Sequence, residues 1–150
     1  MILNLTKKNI LAEKAWTACS FAVRARGMIG RKFDSFDAMV FPRCPAVHTF
    51  FMSMPIDIVF LSSDNRIMAL YHDVKPWKAC IRCAGAFQTL ELPAGTLQRT
   101  GAECNDLLNL NGELTAETTS SGINSLFQEV IQNTNGLTSE KSAPTGEQKS

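Results

Sequence analysis

The chain has 150 residues, a net charge of +1, 45% hydrophobic and 19% charged side chains. That length forms one domain with a real core and room for an appendage. The near-zero charge gives no whole-chain case for nucleic acid or an anionic membrane, and no run of 18 apolar residues exists to span a bilayer.

Met1–Leu5 alternates enough to read as an edge strand. Its charges follow the apolar run, the reverse of a signal peptide, so the expected location is cytoplasmic. Ser20–Arg31 places Phe21, Arg24 and Met28 at helical spacing, with Gly27 and Gly30 limiting a short helix. Ala38–Phe41 is a short strand stopped by Pro42. Val47–Met52 and Ile56–Leu61 read as β, rich in Val, Ile and Phe. Ser62-Ser63-Asp64-Asn65 has turn chemistry, which makes 56–71 a hairpin. Residues 73–85 form a loop carrying Pro76, Trp77, Cys80 and Cys83; Phe87–Leu92 is a strand, Pro93–Gly101 a turn-rich connection, and Leu107–Leu110 the closing strand. The expected fold is mainly β with a minor helical part: a compact small sheet or partly closed barrel with one short helix. No βαβ alternation is evident, which argues against a Rossmann-like sheet.

Composition changes from Asn111, and residues 111–122 are polar. Residues 1–112 hold 13 of the 15 Lys/Arg and 9 of the 14 Asp/Glu, a mildly basic body before a mildly acidic tail. Ile123, Leu126, Phe127, Val130 and Ile131 fall on one helical stripe. The division is a β domain over 1–112, a spacer and amphipathic helix over 113–137, and disorder over 138–150. The stripe is expected to dock on the body, pair with another copy in a homo-oligomer, or fold on a protein partner.

The segment 47–61 holds the first candidate chemistry. Asp57 stands inside an apolar run, where an unpaired charge is costly. It either accepts backbone N–H bonds, locking the turn after Met54-Pro55, or serves as a metal ligand or general base. His48 could shuttle protons, or be a satisfied structural residue. If 47–52 and 56–61 pair, His48 and Asp57 could approach, but Ser53 between them has no nucleophile elbow around it. Glu91 faces away from Leu90 and Leu92, towards solvent or inward towards Arg26 or Arg31. Trp77 either caps the core or offers a stacking platform.

Cys80-Ile-Arg-Cys83 lacks the second ligand pair of a zinc ribbon and the βαβ setting of a redox motif. Five cysteines in a cytoplasmic chain favour free thiols, and Cys44 between Arg43 and Pro45 carries no stronger signal. No cofactor or metal is expected. No phosphate-cradling loop or basic–aromatic cluster is present, so nucleic acid is not an expected partner.

The segments His48–Leu61, Pro76-Trp77 and Leu90–Thr96, with the upstream Arg26-Gly27-Met28-Ile29-Gly30-Arg31, resemble the DUF192 family, in the family's order and over about residues 10–111. The resemblance implies a small, mainly β prokaryotic domain and little about activity. A Gly-Asp pair usual before the family's last strand is Asn105-Asp106 here. Asn tolerates a left-handed backbone, so the turn can survive. Three functions remain open: a small β accessory or binding domain for a polar ligand or a protein partner, with His48, Asp57, Glu91, Arg26 and Trp77 as site candidates; a hydrolase or lyase using an Asp/His/Glu pocket; and a thiol or metal protein using Cys80 and Cys83.

Overall fold

The computed structural model describes residues 1–111. The stripe of Ile123, Leu126, Phe127, Val130 and Ile131 therefore lies outside the described residues. The elements in chain order are β1 (Ile2–Asn4), β2 (Asn9–Ala12), β3 (Ala15–Thr17), α1 (Phe21–Arg26), β4 (Ala38–Phe41), β5 (Ala46–Val47), β6 (Ile56–Leu61), β7 (Ile67–Val74), β8 (Ile81–Arg82), β9 (Gln88–Pro93), α2 (Thr96–Thr100) and β10 (Leu108–Asn109). The architecture is mainly β, as expected, and its sheets stay open rather than closing into a barrel.

A five-stranded sheet in the order β3-β4-β9-β6-β7 forms the centre. Strands β4, β6 and β9 are buried on both faces. The side-chain period of two sends alternate residues to different cores. Val40, Val59, Leu61, Leu90 and Leu92 meet Ile2 and Leu11 of the β10-β1-β2 sheet and Leu97 of α2. Met39, Phe41, Ile56, Ile58 and Phe60 form the second core with Met28 and Met52. Each face thus buries apolar area worth roughly 25 cal/mol per Å².

Several elements differ from the sequence expectation. β1 is not an edge: it lies between β10 and β2. The return to β2 is made by Lys8 at φ +58, after Asn4 Oδ1 has accepted the Thr6 and Lys7 N–H groups. Of the strand expected over 47–52, only Val47 is extended; Ala46–Val47 pairs with β8, which lies within the expected 73–85 loop. β3 runs parallel to β4, so one β3-α1-β4 crossover exists, although the other pairings are antiparallel. The connection 93–101 contains α2, flanked by Gly95 at φ +88 and Gly101 at φ +63. The 56–71 hairpin stands, and β7 runs on to Val74. Its register shifts at Phe60/Leu61, which puts Ile67 and Ala69 in different cores.

The turn before β10 holds as expected. Asn105 takes φ +72, and Asp106 is buried, its Oδ2 accepting from Asn4 Nδ2 at 2.8 Å and from the Glu103 N–H at 3.0 Å. The described residues belong to one compact unit. A chain ending at Asn111 is expected to unfold cooperatively in urea; a broad, non-cooperative melt would move the domain boundary into the tail.

Candidate functional site

α1 begins at Ser20, whose Oγ accepts from the Val23 N–H at 3.3 Å. It ends at Gly27, whose φ of +50 turns the chain back. The next turn is tight: Ile29 N–H bonds Arg26 O at 2.9 Å and Arg31 N–H bonds Met28 O at 3.0 Å. Arg26 Nε donates to Ile29 O at 3.2 Å, which holds the side chain against its own turn. Arg24 is anchored to the Arg43 carbonyl at 3.0 Å. Arg31 lies elsewhere, its guanidinium 4.1 Å from the Trp16 ring centroid, where burial and then the Arg26 charge lower its pKa.

Glu91 occupies β9, the middle strand of the sheet, opposite Met39 and Ile58. Its side chain points into the second core and is 2% exposed. Oε2 is buried without a hydrogen-bond partner. Burial alone pushes its pKa up to about 8, so the group is a neutral acid at pH 7. It pairs with neither Arg26 nor Arg31, the pairing anticipated for an inward Glu91; the ion pairs among the described residues are Lys7–Glu103, Arg66–Asp64 and Lys75–Asp73.

A cavity of about 110 Å³ opens above Glu91. Arg24 and Arg26 line one side, Cys44, His48 and Met52 another. His48 Nδ1 accepts from the Phe50 N–H at 3.3 Å, which leaves Nε2 as the protonated nitrogen of the neutral ring. Cys44 Sγ donates to Ala46 O at 3.1 Å. The cavity therefore brings together His48, Glu91 and Arg26 of the residues singled out from sequence. It adds Arg24, Cys44 and Met52, which sequence reasoning did not select.

Asp57 is elsewhere. It stands opposite Leu92 in the β6–β9 register, one residue out of step with Glu91, so the two carboxyls project from opposite faces of the sheet. No single pocket holds Asp57, His48 and Glu91. The Asp57 carboxylate is fully buried and accepts two backbone N–H groups: Asp73 on Oδ1 and Leu97 on Oδ2, both at 2.9 Å. The Asp73 bond fixes a bulge where His72 and Asp73 oppose Asp57, with Asp73 at φ +48. The Leu97 bond satisfies an orphan donor in the first turn of α2. Asp57 thus ties together β6, β7 and α2 rather than the turn at Met54-Pro55.

Trp77 does not cap a core. It is 61% exposed and does not line the cavity. Its loop is fastened to residues 48–52 through Thr49, which is fully buried. Thr49 N–H bonds Lys78 O at 3.0 Å, Thr49 O accepts from Trp77 N–H at 2.8 Å, and Oγ1 both donates to Lys75 O at 2.8 Å and accepts from Lys78 N–H at 3.0 Å. This clamp holds Phe51 at φ +58 and Trp77 at φ +69, conformations that cost an aromatic residue about 1 kcal/mol or more. Thr49→Val, which keeps the shape and removes the hydroxyl, should cost about 1–3 kcal/mol by leaving buried partners unpaired. A urea midpoint equal to that of the parent would show the clamp to be energetically idle.

Cys80 and Cys83 flank β8, an extended pair of residues, not a helix start. All five cysteines are free thiols. Among the described residues no three His, Cys, Asp or Glu side chains gather to hold a metal ion. No helix among them is long and apolar enough to cross a membrane.

The profile of the DUF192 family, Uncharacterized ACR, matches residues 2–110. A UPF0127 protein of Thermococcus sibiricus is 29% identical over 145 residues, 93% of each chain. A UPF0127 protein of Pyrococcus furiosus is 31% identical over 114 residues, 73% of this chain and 97% of that one. A crystallised protein of unknown function from Novosphingobium aromaticivorans shares the fold, with a TM-score of 0.57 and 24% identity over 63% of this chain and 73% of that one.

Proposed function

The chain belongs to the DUF192 family, and from that premise we propose that it is a binding domain for a small organic anion, held in the cavity between α1 and the Cys44–Met52 segment. One observation carries the reading: Glu91 lines the cavity as a buried acid whose Oε2 has no hydrogen-bond partner. A structural acid in that position would cost stability for nothing, because burying an unpaired polar group is unfavourable by about 1–3 kcal/mol.

The charge around the cavity selects the ligand's sign. Arg24 and Arg26 line it and neither joins an ion pair among the described residues. Glu91 in its neutral form donates a hydrogen bond; in a cavity lined by two arginines, it complements a carboxylate oxygen better than a cation. His48 offers a further donor through Nε2. The cavity volume suits an acid of a few heavy atoms.

Acetate, acetamide and ammonium, added separately during thermal unfolding, test this. Acetate should raise the melting temperature, by an amount equivalent to about 2.7 kcal/mol at 100 times its Kd. Acetamide and ammonium should not. Arg26→Gln should remove most of the acetate effect. Equal stabilisation by acetamide, or stabilisation by ammonium alone, would contradict an anion site.

The enzyme reading keeps one supporting observation. His48 and Glu91 share the cavity, and a carboxyl titrating near 8 has the protonation state of a general acid. Asp57, placed on the far face, takes no part in it.

A further inference from the structure

Beside the cavity lies an aromatic row that the anion site leaves unused. It starts at His48, on the cavity wall. The His48 ring lies 5.7 Å from Phe50, Phe50 lies 6.3 Å from Trp77, and Trp77 packs edge-on against Phe51 at 4.9 Å. The outer pair is open to solvent: Phe51 is 65% and Trp77 61% exposed. Two large exposed aromatics on left-handed backbone, held there by a fully buried Thr49, are costly to maintain for the fold alone. Exposed aromatic faces of this kind are stacking surfaces for planar groups. The row is continuous with a cavity lined by Arg24 and Arg26, which join no ion pair among the described residues, and by a buried acid with an unpartnered oxygen.

We infer that the ligand is an arylalkyl carboxylate, its carboxylate in the Glu91 cavity and its ring against Phe51 and Trp77. This rests on the anion reading of the cavity and adds the ring. A free aromatic acid and the C-terminal residue of a peptide both present this chemistry. Neutral aromatics lack the anion, and aliphatic acids lack the ring.

Calorimetric titration of the full chain with acetate, phenylacetate and the tripeptide Ala-Ala-Phe separates the possibilities. Phenylacetate, the tripeptide or both should bind at least fivefold more tightly than acetate. Trp77→Ala and Phe51→Ala should reduce that advantage to within twofold of acetate while the acetate Kd stays unchanged, which also reports that each variant is folded. A tighter tripeptide assigns the ring to a peptide end, and a tighter phenylacetate assigns it to a free acid; either supports the inference. If acetate binds and neither aromatic probe binds more tightly, or if the advantage survives both alanine variants, the aromatic row is not part of the site and the anion reading stands alone. If none of the three binds, the anion reading falls, and this inference with it.

Discussion

Glu91→Gln should be more stable than the parent at pH 8.5, and no more stable at pH 4. Glu91 titrates at about 8 in the folded chain against 4.5 for the free side chain. The folded state therefore holds a proton that the unfolded state has released, so stability falls as pH rises between those values. The sign is opposite to that of a salt-bridged carboxylate: the contribution is complete below pH 4.5 and lost as pH passes through about 8. Full linkage over that interval corresponds to about 5 kcal/mol, and water entering the cavity reduces it, so a difference of about 2–4 kcal/mol between the two chains is expected at pH 8.5. For a domain with a total stability of about 5–15 kcal/mol this is a large effect. Urea melts of both chains at pH 4, 6 and 8.5 measure it. Parallel pH profiles would mean that Glu91 ionises normally. Because the glutamine amide donates at every pH, Glu91→Gln should also hold acetate affinity where the parent loses it above pH 8; the other polar side chains on the cavity, Arg24, Arg26, Cys44 and His48, are common to both chains.

Asp57→Ala should be the most damaging single change in the domain that leaves the ligand site chemically intact. It strands the Asp73 and Leu97 N–H groups, the second of them fully buried, and removes the link that joins β6, the β7 bulge and α2. Two charge-assisted bonds lost from a buried acceptor imply about 3–5 kcal/mol. Asp57→Asn keeps one acceptor oxygen and should lose about half as much. The readout that separates structure from chemistry is acetate affinity in the surviving folded fraction, which should be unchanged because Asp57 lies on the face opposite Glu91. A variant with the parent's denaturation midpoint but no acetate binding would reverse the assignment.

Much of this was legible in the residues. The strands 38–41, 56–61 and 87–92 announce themselves by β-branched and apolar content, and α1 by the spacing of Phe21, Arg24 and Met28 and by its glycines. The period-two argument placed Glu91 away from Leu90 and Leu92, which is where it lies. What sequence could not supply was register. Asp57 and Glu91 fall on opposite faces because Asp57 aligns with Leu92 and not with Glu91, a slip of one residue. The segment 47–52 has strand composition, yet the backbone of Thr49 bonds to the 75–78 loop and Phe51 adopts a positive φ, neither of which residue types announce. One signal went unread: Thr49 is a small hydroxyl residue inside an apolar run, the kind of group that is buried only with its bonds made. β2 and β3 escaped notice because each is short and next to lysines and turn residues. The cavity residues Arg24, Cys44 and Met52 meet only through the sheet and carry no local motif.

The anion reading requires Glu91 to be a neutral acid with no partner of its own in the free protein. Carbon-13 NMR of the Glu91 side-chain carboxyl, assigned through the Glu91→Gln chain and titrated from pH 4 to 10 with and without acetate, tests it directly. The midpoint should lie near 8 in the free protein and higher with acetate bound, since a neighbouring negative charge further disfavours ionisation. A midpoint near 4.5 that acetate leaves unmoved would contradict it.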